Sequence, residues 1–162
     1  RSQQPRAAAA ATSPFAKLNN DPLEEYCLAL LMKHPDLKGS AEHLKLEFFY
    51  RHENREIFSK WLESEHADVG VDLEPEILSQ WETVRAKSLP PLDPSKRREA
   101  LADVISRLEE RNLRGLKAEE EIRFAESPPD LDDAEHQDIL SLNQRIKKNE
   151  DLRRGLYQEI SP

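Results

Sequence analysis

The stretch that decides the fold is Pro94–Glu126, PSKRREALADVISRLEERNLRGLKAEEEIRFAE. Asp93 reads as its N-cap and Pro94 as its first helical residue, where a missing N–H costs nothing. No further proline interrupts it before Pro128. Leu101, Val104, Ile105, Leu108, Leu116 and Ile122 recur at helical spacing, so one stripe is expected to face a core. Most other positions are charged, and the signs pair in the order that supports a solvated helix. Asp103 precedes Arg107, Glu110 precedes Arg114 and Glu119 precedes Arg123, each by four. At about 1.5 Å per residue the helix is roughly 50 Å long. That outgrows a small bundle, so the helix is expected to leave the globular part. Gly115 is its expected weak point, at about 1 kcal/mol relative to alanine. It divides a bundle-bound half from a free half and marks the expected bend.

Composition narrows the class around this helix. The chain has 162 residues, 37% hydrophobic and 35% charged, which suits a helical bundle with an exposed arm rather than a compact enzyme. Four glycines stand against eleven prolines and β-branched residues are scarce, which argues against a sheet and a Gly-rich phosphate loop. The lone Cys27 excludes an internal disulfide and a Cys-based zinc site. No apolar run is long enough for a membrane span, and no signal peptide is visible. A cytoplasmic location is expected. The first residue is arginine, which suggests a piece of a longer protein. Residues 1–20 hold Arg1, Arg6 and Lys17 and no acid, so the −8 overall becomes −11 on the rest. An acidic body argues against direct binding of duplex DNA.

Read in order, residues 1–20 form a flexible interdomain linker, with Pro5 and Pro14 bracketing an alanine run too short to nucleate a helix. Asp21-Pro22-Leu23-Glu24 starts a helix, with acid suited to its first turn. Leu23, Tyr26, Cys27, Leu28, Leu30, Leu31 and Met32 make its apolar face broad, so it is expected to be central and buried. Pro35 ends it, and His34 reads as a C-terminal capping residue rather than a ligand. Cys27 reads as a small core residue. Ser40 is expected to cap a short helix through Phe48. Phe48-Phe49-Tyr50 reads as a corner plugging the bundle, the alternative being a stacking platform for bases. A third helix covers Glu53–Ser64. His52-Glu53 begins like a zinc motif but lacks the second histidine. A polar loop with Gly70 follows, then a helix from Pro75 to about Lys87. Beyond the long helix, Ser127–Asp130 is a turn into a last helix, Leu131–Ile160. Asp130, Asp132 and Asp133 read as acids favoured at its start rather than as a calcium loop. Two long helices joined by a tight turn form an antiparallel hairpin. The expected organisation is therefore all-α: linker 1–20, helical bundle 21–110, helical hairpin 111–162.

This order of parts resembles the C-terminal helicase-binding domain of bacterial replicative DNA primase (DnaG type). The resemblance rests on EEYCLALLMKHPDL (Glu24–Leu37), FFYRHENREIF (Phe48–Phe58) and ISRLEERNLRGLKAEE (Ile105–Glu120), and it covers roughly residues 22–160. It implies a domain with no catalytic residues, cofactor or metal of its own. Such a domain docks the primase on the hexameric DnaB-type helicase at the replication fork. Two alternatives remain open at this point: the similar N-terminal domain of the helicase itself, and a generic helical adaptor.

A helical wheel at about 100° per residue adds candidate docking residues. Ile139, Leu142, Ile146, Leu156, Tyr157 and Ile160 form a seam toward the long helix. Leu140 falls on the far side and Leu152 at the seam's edge, while Leu113 and Phe124 fall off the long helix's stripe. The expected partner-binding set is Leu113, Leu140 and Leu152 with Arg145, Arg153 and Arg154 as rim, and Tyr157 beside them.

Overall fold

A computed structural model describes residues 21–64, 72–126 and 132–160, with side chains placed as far as Leu156. The linker 1–20, the loop at Gly70, the Ser127–Asp130 turn and Leu131 lie outside the described residues. The described secondary structure is all helical, as the sequence leads one to expect. It comprises α1 (Pro22–Lys33), α2 (His52–Glu63), α3 (Pro75–Arg85), α4 (Pro94–Glu126) and α5 (Asp133–Ile160). Between α1 and α2 run two 3-10 turns, Pro35–Ala41 and Leu46–Phe48. No described helix is long and apolar enough to cross a membrane.

The helix starts follow local chemistry. Asp21 accepts from the Glu24 N–H at 3.1 Å and Asp93 from the Lys96 N–H at 2.8 Å. Asp132 and Glu135 close a reciprocal capping box at α5: Asp132 accepts from the Glu135 N–H at 2.8 Å, and Glu135 from the Asp132 N–H at 3.2 Å. The Leu30 carbonyl accepts from the His34 N–H, so His34 does close α1. Ser40, in contrast, caps no α-helix. It lies inside the first 3-10 turn, in a stretch opened by Pro35 and carrying Gly39, and the chain never winds a full α-turn before Phe48.

α1 is the centre of the bundle. Cys27, Leu28, Ala29, Leu30 and Leu31 are all buried in succession, which a helix shows only when it is covered on most sides. It touches α2, α3, α4 and the first 3-10 turn. Phe49, Phe58 and Trp61 pack beside it, with ring centroids 4.9 and 5.9 Å apart, and Leu101, Val104 and Leu108 bring the first half of α4 into the same core. Each such side chain contributes about 1.5–3 kcal/mol of burial. Phe48 and Phe49 plug the corner, while Tyr50 stands half exposed on the surface.

Beyond the bundle α4 is free of the core but not of α5, which packs along it antiparallel as the expected hairpin, with Ser106 against Asn149 and Lys117 against Asn143. Gly115 neither ends nor divides the helix, which runs on to Glu126. It is held small by Tyr50, whose Oη lies 2.8 Å from where a Cβ would stand. Ile122, placed on the inward stripe from sequence, is 59% exposed. Past the bundle the covered face of α4 belongs to α5, and there Glu120 is the buried residue instead.

Candidate functional site

The site is built from the joint outward. Glu24, read from sequence as the acid of a helix start, and its neighbour Glu25 are fully buried. The Glu24 carboxylate accepts from the Tyr50 and Arg51 N–H groups, from Asn54 Nδ2 at 2.8 Å and from Arg111 Nη2 at 2.6 Å. Arg111 also pairs with Asp21 and donates to the Phe48 carbonyl at 3.0 Å. Its guanidinium lies over the Tyr50 ring, 4.4 Å from the centroid, and Tyr50 Oη donates to the Arg111 carbonyl at 3.1 Å. Burial works to lower the Arg111 pKa, but the Asp21 and Glu24 carboxylates outweigh it and raise the value. Gln80 Nε2 bridges onward to Asn54 Oδ1 at 2.9 Å and Glu25 Oε1 at 3.2 Å. Lys87 Nζ sits 2.7 Å from Glu25 Oε2, an ion contact outside hydrogen-bond geometry. One polar network therefore ties α1, α2, α3 and the 46–51 corner to the point where α4 leaves the bundle. It fixes the direction in which the hairpin projects.

The hairpin is held differently. Ile139, Leu142, Ile146 and Leu156 face α4 but stay partly exposed, and the one buried α5 side chain among those described is Asn149. Asn149 Nδ2 donates to the Ser106 carbonyl at 3.2 Å and lies 3.4 Å from Glu109 Oε2. Residues 139, 142, 146, 149, 153 and 156 alternate in steps of three and four, a coiled-coil seam with a polar residue inside it. Lys117 reaches Asn143 at 3.4 Å, Arg153 pairs with Glu110, and Arg145 reaches back to Glu47 of the 3-10 corner at 3.5 Å.

The residues marked from sequence separate on this frame. Leu113 is not an off-stripe surface residue. It is 2% exposed, on the stretch of α4 between the Ser106–Asn149 and Lys117–Asn143 contacts with α5. Arg145 and Arg153 are engaged within the chain rather than standing as a free rim. Leu140 is 50% and Leu152 53% exposed, and Arg154 is exposed as well. Tyr157 lies in α5, and its side chain is outside the described residues. Phe124 is partly buried near the end of α4.

Sequence reading missed the joint because Asn54, Gln80 and Arg111 lie 30 to 87 positions from the Glu24 and Glu25 carboxylates they serve. It also missed the exposed face that runs from Gln144 through Lys147, Lys148 and Asp151 to Leu152 and Gly155. The wheel carried enough signal to find that face, since these positions cluster away from the seam. Cys27 is buried, and burial pushes its thiol pKa far up, which leaves it inert. Among the described residues no group of three or more His, Cys, Asp or Glu is placed to hold a metal ion. Comparison with known protein families, with curated proteins and with solved structures gives no match.

Proposed function

We propose that this chain is the helicase-docking domain of a bacterial DnaG-type primase, acting in the cytoplasm without chemistry of its own. It would hold the primer-synthesising core on a DnaB-type helicase ring at the replication fork. The observation that carries the reading is α5: it is covered by α4 on one side and leaves Leu140, on its far side, and Leu152, at the seam's edge, half exposed. Half-exposed leucines on a helix supported from behind are what helix-in-groove recognition uses. The order of parts supports the same reading, with a compact bundle leading through one long helix to a second helix. The acidic body, −11 outside the first twenty residues, favours a protein partner over duplex DNA.

The test is capture of a purified DnaB-type helicase hexamer by the immobilised chain, with duplex DNA as a second analyte. The reading expects a stoichiometric helicase complex and no DNA binding. A chain that ignores the helicase is an adaptor of another kind. A chain that assembles into rings with itself is a helicase N-terminal domain.

A further inference from the structure

Gly155 has no reason inside the fold to be glycine. No described glycine has a positive φ, and a Cβ at Gly155 would meet nothing within 4 Å. Gly115 differs, since Tyr50 fills the space where its Cβ would stand. Glycine in a helix interior weakens the helix relative to alanine, so α5 carries a destabilising residue at an open position. What the glycine provides there is a low point, where another backbone can come close.

That low point lies in a shallow trough on the exposed side of α5, which runs from Gln144 to Leu156. Over this span the helix rises about 18 Å, long enough to hold three turns of a second helix. Leu152 supplies its apolar surface, the half-buried seam residue Leu156 borders it, and Lys147 and Lys148 stand at its sides. On a chain of net charge −8, Lys147, Lys148 and Arg154 make no ion pair among the described residues, whereas Arg145 and Arg153 are tied to Glu47 and Glu110. Glu150 and Asp151, which follow the two lysines, are the acids of this segment, and the cations outnumber them.

We infer that this face receives an amphipathic helix of the partner, which crosses α5 at close range over Gly155. Its leucine-like side would meet Leu152, and acidic residues along its flanks would meet Lys147 and Lys148. The inference rests on the reading of the outer side of α5 as the docking surface and adds the chemistry of the occupant. Interaxial distance between packed helices is set by the side chains at the crossing point. A glycine there permits the shortest approach and places the lysines over the partner's flanks.

The experiment uses the whole isotope-labelled chain and a synthetic amphipathic peptide with leucines at i, i+4 and i+7 and glutamates on both flanks. A control peptide carries lysines in place of the glutamates, and phosphatidylserine-containing vesicles provide a third probe. The acidic peptide is expected to shift amide resonances of residues 147–156. It is expected to bind Gly155→Leu and the Lys147→Glu/Lys148→Glu double variant at least tenfold more weakly than the unmodified chain. Gly155→Leu should melt no lower than the unmodified chain, because leucine is the better helix former; Gly155→Ala, which adds one methyl group, should show a smaller loss. Equal binding of both peptides, undiminished binding to Gly155→Leu, or a response of this face to vesicles alone would overturn the inference. Helicase capture decides the primase reading separately. If the helicase is not captured but the peptide still maps to Gly155, only the primase reading falls. If the helicase binds the unmodified chain and Gly155→Leu alike and the peptide leaves the face unperturbed, only this inference falls.

Discussion

Glu24 is where the polar geometry of the bundle converges, and Arg111 is the cation that makes its burial tolerable. Both carboxylate oxygens are saturated by donors from the corner, α2 and α4. Removing one member of a buried pair leaves an uncompensated charge, which typically costs about 3–5 kcal/mol. Arg111 is partly open to solvent, so Arg111→Leu is expected near the lower end, about 3 kcal/mol, as a shift in the urea midpoint at unchanged slope. A loss below about 1 kcal/mol, the range of an exposed pair, would show that the network is not cooperative. Cys27 gives a second prediction at this scale. Its buried, up-shifted thiol should resist a thiol-modifying reagent in the native chain and react fully in denaturant. The side chains of α1 show what a sequence can and cannot reveal. Cys27 through Leu31 are legible as core because an apolar run at helical spacing has one reading. Glu24 and Glu25 are not, because acids in a first turn are equally well explained by the helix dipole, and their partners are distant in the chain.

The elements with the clearest edges in the sequence are those begun by proline: α1, α3 and α4 start at Pro22, Pro75 and Pro94 as read. The segment after Pro35 forms 3-10 turns where a short helix is expected, because its alternating apolar residues suit either. On the hairpin, Ile139, Leu142, Ile146 and Leu156 are partly covered, whereas the buried Asn149 and Leu113 fall outside the apolar seam read from sequence. The bundle and α5 overlap along α4, since Asn149 of α5 already meets Ser106 while Tyr50 of the corner still meets Arg111 and Gly115, so its buried face is not one straight stripe. α5 itself is lightly held, by half-covered apolar residues, Asn149 and the ion pairs of Arg145 and Arg153. Its amides are therefore expected to exchange faster than those of α1, and faster still in 1 M salt, where screening shortens to about 3 Å. Equal protection of α1 and α5 at both salt concentrations would contradict this. Leu142→Asp or Ile146→Asp is expected to detach α5 and lower helix content, while Leu140→Asp leaves helix content and melting nearly unchanged.

At the scale of the whole molecule, rigidity and exposure are separated along the chain. The buried carboxylate network anchors the start of the hairpin, and the outer side of α5 carries the surface offered to a partner. Docking through that side requires the leucines that the fold itself does not use. The most direct measurement is the affinity of a DnaB-type helicase hexamer for the chain and for its Leu140→Asp/Leu152→Asp double variant, with melting followed in parallel. The account predicts that the unmodified chain binds, that the double variant binds at least tenfold more weakly, about 1.4 kcal/mol, and that the two melt alike. Undiminished binding by the variant, or no binding by the unmodified chain, would contradict it.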